Sequence, residues 1–248
     1  MAKTAILIGF GGMGQRYFKA LKLMNFDILA ICDKNKKKLV HSNLKVSNIT
    51  SNYKQLLSFK ADLLCVASNT QSRFEIISSF CKKGKIKKIV TEKPLCTSYE
   101  NCLNLKKICK KNKVRLNVNT HRSFSPNYQM VKNIFKKFNE TPSSIIINSP
   151  SAGLGNMGST FFDLGFYFFK KKAISVVGWI DKTGTISPRG KQFVDPGGYG
   201  ILNFSNNKKL FFDLSEDTGL PYLITIKSKN LEVVIDEINN NFYLKKRP

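Results

Sequence analysis

Short apolar runs alternate with amphipathic segments over the first 120 residues of the chain. Five runs are typical of buried strands because they are short and largely apolar, and they lie at residues 4–8, 26–32, 62–67, 88–91 and 114–119. Helices are predicted between or after them at residues 13–24, 73–83 and 98–111. Strands without a polar face that alternate with helices predict a parallel sheet covered on both sides. The expected fold of this part is a doubly wound α/β domain.

The pattern changes after about residue 119. One helix is predicted at residues 127–138, and short strands follow at 144–148, 174–180, 200–204, 209–214, 222–226, 231–235 and 242–244. Turn clusters such as Asn239-Asn240-Asn241 separate these strands. Many short strands with few helices predict a smaller α+β domain with a mostly antiparallel sheet. We therefore expect one domain at residues 1–118 and a second at 119–248.

A glycine-rich loop joins the first strand to the first helix, and it reads Gly9-Phe10-Gly11-Gly12-Met13-Gly14. Gly9 permits the tight turn, Gly11 allows a pyrophosphate to approach the backbone, and Gly14 allows close packing of helix on strand. The helix that begins near Met13, directly after Gly12, presents free N–H groups and a partial positive charge to the diphosphate. The loop therefore predicts a Rossmann-type domain that binds a nicotinamide dinucleotide.

An acidic residue follows the second strand, as this kind of dinucleotide site requires. It is Asp33, which is expected to accept hydrogen bonds from the adenosine ribose. A carboxylate at this place repels a 2′-phosphate and therefore favours NAD. Lys34 and Lys36 follow directly and are able to hold that phosphate, so NADP stays open.

Composition adds a strong positive charge to this picture. The formal net charge is +25, but the lysine runs are spread over several elements and are not interleaved with aromatic residues. This pattern favours an anionic small substrate or cofactor over a nucleic-acid partner. The six cysteines include no C-x-x-C pair, so neither a metal site nor a disulfide framework is predicted, and a reduced cytoplasm is expected. No apolar run has the length of a membrane span or the form of an export signal.

Four further motifs occur in order along the chain. They are the strand and turn that end at Ser68-Asn69, Thr91-Glu92-Lys93-Pro94, His121-Arg122-Ser123-Phe124-Ser125-Pro126, and the segment 158–167 with Asp163, Gly165 and Tyr167. The second resembles the E-K-P signature of the Gfo/Idh/MocA oxidoreductases. The third resembles the R-R-F-x-P segment of that family, and the fourth resembles its helix G-x-x-x-x-D-x-G-x-H.

This resemblance implies an NAD(P)-dependent dehydrogenase with a substrate cleft at the junction of two domains. Such enzymes act on a ring hydroxyl or ketone of a sugar, cyclitol or nucleotide-sugar, and they commonly form homodimers or homotetramers. Lys93 is expected beside the nicotinamide and the reacting oxygen, where its charge stabilises a developing alkoxide. By the same resemblance, cofactor contacts are expected at Ser68, Asn69, Arg73 and Glu92, and substrate contacts at His121 and Arg122. Pro94 is expected to follow a cis peptide bond.

Two departures from the family pattern leave an alternative open. The helix keeps Asp163, but Tyr167 stands where the family has a histidine, and the chain contains only His41 and His121. A nearby lysine would lower the pKa of Tyr167 and make it a competent proton exchanger. The alternative is that Tyr167 packs within its aromatic run. The second domain is also shorter than usual, so a non-catalytic dinucleotide-binding sensor or regulator of the same fold is the second hypothesis.

Overall fold

The computed structural model describes residues 2–35, 37, 39, 46–150, 153–186, 194–216 and 222–247. The chain forms two compact units, Met1–Asn119 and Thr120–Pro248. None of the helices in the described part of the chain is both long and apolar enough to cross a membrane.

The N-terminal unit is built on a six-stranded parallel sheet. Its strands are β1 (Thr4–Ile8), β2 (Asp27–Cys32), β3 (Asn48–Thr50), β4 (Leu63–Val66), β5 (Lys88–Glu92) and β6 (Arg115–Asn119). Its helices are α1 (Gly12–Leu23), α2 (Thr70–Lys83) and α3 (Tyr99–Lys111), with a short 3₁₀ helix at Tyr53–Leu56. The strand order is β3-β2-β1-β4-β5-β6, and every neighbouring pair is parallel. The predicted doubly wound α/β domain is confirmed.

Two separate apolar layers explain why the strands of this sheet lack a polar face. Ile6 and Ile8 of β1 belong to one buried cluster, and Ala5 and Leu7 belong to another. Because successive side chains of a strand point to opposite faces, both faces of β1 are covered.

Two local features of this unit differ from the expectation. Strand β3 was not among the predicted strands, because its three partly polar residues give no readable alternation. Helix α2 starts at Thr70 instead of residue 73, because the Asn69 side chain accepts a hydrogen bond from the backbone N–H of Ser72 at 3.3 Å.

The C-terminal unit packs helices on a seven-stranded sheet. Its helices are α4 (His121–Phe124), α5 (Pro126–Lys137) and α6 (Ser159–Phe169), and a π-helical segment, Gly153–Gly158, precedes α6. Its strands are β7 (Ser144–Asn148), β8 (Ala173–Ile186), β9 (Val194–Phe204), β10 (Lys208–Asp213), β11 (Leu223–Lys227), β12 (Leu231–Asp236) and β13 (Asn241–Lys246). The order is β13-β12-β11-β7-β10-β9-β8, and only β7 and β10 pair in parallel. The predicted α+β domain with a mostly antiparallel sheet is confirmed.

Strand β8 is an edge of this sheet and is longer than the expected 174–180. Its residues from Ile174 to Ile180 are exposed, although most of them are apolar. The largely apolar run at residues 174–180 correctly predicted a strand here. Its exposure depends on strand order, which the periodicity does not encode.

Candidate functional site

The glycine loop brings three backbone segments of the N-terminal unit into close approach. Gly9 has a φ of +92°, and its N–H donates to the carbonyl of Cys32 at 2.7 Å. A Cβ on Gly9 would lie 2.6 Å from the backbone of Ala67, and one on Gly14 would lie 2.0 Å from the Gly9 carbonyl oxygen. Both positions therefore require glycine, as the sequence predicts.

Gly11 and Gly12 face open space at the start of α1. A Cβ on either residue would meet no atom within 4 Å. Gly11 is the N-cap of the helix and Gly12 is its first residue, so the first N–H groups of α1, including that of Met13, have no earlier helical carbonyl to bond. An uncrowded backbone at a helix N-terminus fits the diphosphate of a dinucleotide.

The carboxylate of Asp33 accepts hydrogen bonds from two backbone N–H groups. One oxygen accepts from Phe10 of the glycine loop at 2.6 Å, and the other accepts from Asn35 at 2.8 Å. Each carboxylate oxygen keeps acceptor capacity, which suits the ribose hydroxyls. The neighbouring Lys34 is exposed, whereas Lys36 and His41 lie outside the described residues.

Glu92 ends β5, and its carboxylate is buried. One carboxylate oxygen accepts from the Tyr17 hydroxyl of α1 and from the Asn119 amide at the end of β6, both at 2.8 Å. Burial, with a further contribution from Glu92, raises the pKa of Tyr17 far above its usual value, so its hydroxyl stays a donor. Tyr17 and Asn119 were not predicted. The position of Asn119 at the carboxyl end of a strand was the available signal.

Lys93 and Pro94 follow β5 directly. The peptide bond between them is cis, as the resemblance implies. Ser68 and Asn69 follow β4, the neighbouring strand, so the two turns lie at the same edge of the sheet. The side chain of Asn69 caps α2 through the backbone N–H of Ser72 and also accepts from the hydroxyl of Ser72 at 2.6 Å. Lys93 itself is half-buried.

Arg73 lies in the interior rather than at the surface. Its side chain is 2% exposed, and its guanidinium donates to the carbonyl oxygens of Ser68, Glu92 and Pro94. This geometry does not support the expected contact of Arg73 with the cofactor, because the guanidinium is buried and bonded to backbone carbonyls.

Arg122 lies in a buried network of the C-terminal unit. Its guanidinium donates to both carboxylate oxygens of Glu237, at 2.9 and 2.7 Å, and to the hydroxyl of Thr160. It also lies 3.8 Å from the ring centroid of Phe161. These contacts make Arg122 an internal ion-pair partner, which does not support the expected substrate contact. His121 is exposed beside it.

Glu237 receives a further hydrogen bond, from the Tyr128 hydroxyl at 2.7 Å. Burial acts to raise the pKa of Glu237, but hydrogen bonds from Arg122 and Tyr128 and the Arg122 charge outweigh it and hold the pKa below its usual range. Glu237 therefore stays ionised at neutral pH. The sequence offered no signal for this residue, because 115 positions separate it from Arg122.

Asp163 and Tyr167 lie four residues apart on α6, and both are half-buried. The Tyr167 ring packs on Phe168 at 5.0 Å, and the ammonium of Lys132 lies 4.3 Å from its centroid. Tyr167, Lys132, Lys136 and Lys170 are among the residues that line a cavity of about 670 Å³. The expected lowering of the Tyr167 pKa is wrong, because burial raises it.

The helix motif can also be placed seven residues earlier, where Gly158 takes the position of its second glycine. In Asn156-Met157-Gly158-Ser159-Thr160, asparagine and threonine take the places of aspartate and histidine. Thr160 is buried, and its hydroxyl donates to the carbonyl of Met157 at 2.8 Å. The N–H groups of Gly155 and Asn156 donate to the carboxylate of Asp195 at 2.8 and 2.7 Å. Both registers lack the histidine, and the resemblance was predicted only for the later one.

Comparison with known proteins gives a family for the N-terminal unit. Residues 3–120 match the Gfo/Idh/MocA family, described as an oxidoreductase family with an NAD-binding Rossmann fold. No curated protein matches the chain in a sequence search. The match confirms the predicted NAD-dependent oxidoreductase class and the nicotinamide cofactor.

Solved structures share the fold over the whole chain. The WlbA dehydrogenase from Bordetella pertussis, crystallised with NADH and UDP-GlcNAcA, is 19% identical with a TM-score of 0.83, covering 100% of this chain and 82% of that one. An oxidoreductase from Agrobacterium radiobacter, crystallised with NAD⁺, L-tartaric acid and magnesium, is 17% identical with a TM-score of 0.80, covering 99% and 80%. The myo-inositol 2-dehydrogenase from Lactobacillus plantarum is 18% identical with a TM-score of 0.78, covering 96% and 77%. At these identities the likeness establishes the fold of both units.

Proposed function

We propose that the chain, whose residues 3–120 match the NAD-binding Gfo/Idh/MocA oxidoreductase family, transfers a hydride to or from a ring hydroxyl or ketone of an anionic, sugar-like substrate. The observation that carries this proposal is the position of Lys93. It directly follows β5 of the parallel sheet that also carries the dinucleotide loop. In open sheets of this kind, ligands bind beyond the carboxyl ends of the strands.

Lys93 is proposed to polarise the reacting oxygen. When bound, the nicotinamide supplies the hydride acceptor or donor. The ammonium of Lys93 would stabilise negative charge that develops on the substrate oxygen. The dinucleotide itself would be held by the backbone of Gly11, Gly12 and Met13 and by the Asp33 carboxylate, with Ser68 and Asn69 at the adjoining turn.

Tyr167 is proposed to exchange the proton of the substrate hydroxyl, and Asp163 to bind neighbouring hydroxyls. Burial raises the pKa of Tyr167, so the phenol is protonated at neutral pH. A protonated phenol donates its proton to a ketone oxygen during reduction, and the phenolate takes a proton from the hydroxyl during oxidation.

A nucleotide-sugar is the substrate class that the charge favours. The chain carries a formal net charge of +25, which raises the local concentration of anions. UDP-GlcNAcA, present in the crystal of the Bordetella pertussis WlbA dehydrogenase, is an anionic nucleotide-sugar and exemplifies this class.

The test is NADH turnover with a panel of nucleotide-sugars and their keto forms, followed by absorbance. We expect Lys93→Met to lower kcat by about 100-fold or more, because one electrostatic stabiliser of the transition state is lost. Lys88→Met is the matched control, since Lys88 is an exposed lysine at the other end of β5 and its loss should change nothing. Full activity of Lys93→Met would remove the catalytic assignment. NADH binding with no turnover on any compound would favour the sensor.

The same assay separates the two registers of the helix motif. Loss of the proton exchanger lowers kcat by about 100-fold or more, and we expect this for Tyr167→Phe and not for Thr160→Val. Because Thr160 also accepts from the buried Arg122, the unfolding free energy of Thr160→Val is measured as well. Loss of kcat in Thr160→Val without loss of stability, together with full activity of Tyr167→Phe, would favour the earlier register.

We also propose that the protein is a homodimer or homotetramer. The support is the exposed β8 edge, where Val176, Trp179 and Ile180 are each more than half exposed. A contiguous apolar surface on an edge strand is typical of an interface between subunits.

A further inference from the structure

We propose that Arg73 is a positioning residue that fixes the backbone on both sides of Lys93 and couples it to the turn after β4. This inference rests on the proposed function of Lys93. The Nε and Nη2 groups of Arg73 donate to the Ser68 carbonyl oxygen at 3.0 and 2.8 Å. Its Nη1 donates to the Glu92 carbonyl oxygen at 2.9 Å and to that of Pro94.

The turns after β4 and β5 need these hydrogen bonds because the pairing between the two strands ends before them. The paired register of β4 and β5 ends at Val66 and Thr91. At this last pair, the Thr91 hydroxyl also donates to the Val66 carbonyl at 3.2 Å. Beyond it, Arg73 supplies hydrogen bonds that link Ser68 on one side to Glu92 and Pro94 on the other. The guanidinium therefore extends the connection between the strands to the turns that carry Ser68 and Lys93.

An arginine is required by the geometry of these contacts. The guanidinium is a planar fork with five N–H donors. It can therefore donate to the Glu92 and Pro94 carbonyls on one side and to the Ser68 carbonyl on the other. A lysine ammonium is a point charge and cannot hold three carbonyls in this arrangement. The side chain comes from the first turns of α2 and is 2% exposed. Its orientation is therefore fixed by packing.

Lys93 lies between two of the carbonyls that Arg73 holds. The residue before it, Glu92, is fixed a second time through its side chain by Tyr17 and Asn119. Pro94 is held on the other side by Arg73. Loss of Arg73 would leave the Glu92 side chain anchored but free the backbone that sets the direction of Lys93.

The test compares Arg73→Lys with Lys93→Met on the nucleotide-sugar that wild type turns over fastest. Active sites are counted by titration with NADH, so that kcat refers to folded protein. We expect Arg73→Lys to lower kcat by about 100-fold, since a displacement of about 1 Å of a catalytic group has this effect. The NADH dissociation constant and the substrate KM should stay close to wild type. Arg115→Lys, the same change at an exposed arginine of β6, should leave kcat unchanged.

A second variant guards against misfolding. In Arg73→Ala, guanidinium ion added well below denaturing concentrations should restore part of kcat, whereas it should not affect Lys93→Met. Wild-type kcat in Arg73→Lys, with Lys93→Met inactive, overturns the inference and leaves the proposed function standing. Wild-type kcat in Lys93→Met overturns both. Loss of NADH binding in both Arg73 variants overturns the inference, because the role is then structural.

Discussion

Glycines at four positions of the cofactor loop have different physical roles. Gly9 and Gly14 approach other backbone atoms so closely that a Cβ would lie within 3 Å of them. Gly11 and Gly12 have open space around them. The first pair therefore serves the fold of the N-terminal unit, and the second pair leaves room for the dinucleotide.

Alanine at two of these positions should separate stability from binding. Gly14→Ala forces the first turn of α1 away from Gly9, and we expect about 3 kcal/mol or more of lost stability. Gly11 has φ −73° and ψ −169°, which alanine adopts. Because the gain from a less flexible unfolded chain is offset by the poorer N-cap, Gly11→Ala should change the stability of the free protein by about 0.5 kcal/mol or less. Its methyl group should nevertheless weaken NADH binding by about tenfold or more, or 1.4 kcal/mol.

Circular dichroism melts and NADH fluorescence titrations measure these two effects independently. Each variant is the control for the other, because Gly11→Ala and Gly14→Ala add the same methyl group at two positions of one loop. Tight NADH binding by Gly11→Ala would mean that the pyrophosphate does not pass over this residue.

Single residues were predictable from the sequence where one short motif determined them. The glycine loop and Asp33 are local, and their roles follow from spacing alone. Arg73 was misassigned because its partners are backbone carbonyls of residues 68, 92 and 94, and no sequence pattern marks a carbonyl as an acceptor. Tyr17 and Asn119 were missed for a different reason, since the Glu92 carboxylate that they share is distant from both in sequence.

At the scale of elements, one ion pair connects the helices α4, α5 and α6 of the C-terminal unit to the end of β12. Glu237 follows β12 and receives hydrogen bonds from Arg122 of α4 and Tyr128 of α5. Arg122 also contacts Thr160 and Phe161 of α6. Arg122 is 3% exposed, so removing its partner would leave a buried, uncompensated charge.

Glu237→Gln should therefore destabilise the C-terminal unit by about 3 kcal/mol at pH 7. The pKa of Glu237 is lowered in the folded protein. Its contribution is thus present above the unfolded pKa of about 4.3 and is lost as pH falls through the folded pKa. The difference between wild type and variant should shrink in that acidic window. Denaturant unfolding followed by Trp179, the single tryptophan of the chain, reports on this unit.

Glu232→Gln is the comparison variant for this measurement. Glu232 pairs with Lys227 and Lys245 at 2.9 and 3.3 Å, and both lysines are substantially exposed. Such pairs contribute about 1 kcal/mol or less. Equal losses of unfolding free energy in the two variants would show that the burial of Arg122 does not increase the contribution of its ion pair with Glu237.

Most elements were predictable from their apolar pattern. The helix α3, capped by Ser98, repeats its apolar positions about every 3.6 residues, whereas β1 and β4 are short continuous apolar runs. The short strand β3 and the π-helical segment before α6 carry too few repeats to be read. The register of the α6 motif was ambiguous for a different reason, since Gly158 and Gly165 both match the glycine of the family pattern.

At the scale of the whole molecule, the exposed β8 edge leads to the proposed assembly. Val176 and Ile180 point to one face of this strand, and Val177 and Trp179 point to the other, where Trp179 stacks on Tyr199 at 5.2 Å. Exposure of both faces of one apolar edge strand is costly in water. A second copy of the chain would remove this surface.

The double substitution Val176→Lys/Ile180→Lys should therefore yield monomers of 28.1 kDa, whereas wild type should sediment as a dimer or tetramer. Two lysines on one face of an edge strand prevent close packing because their charges resist burial. Leu23→Lys is the matched control, because Leu23 is an exposed apolar residue at the end of α1, in the N-terminal unit. Its sedimentation should equal that of wild type. Analytical ultracentrifugation distinguishes these states, and a monomeric wild type would show that β8 does not form an interface. Unchanged NADH affinity in the double variant would show that the N-terminal unit binds its cofactor without the assembly.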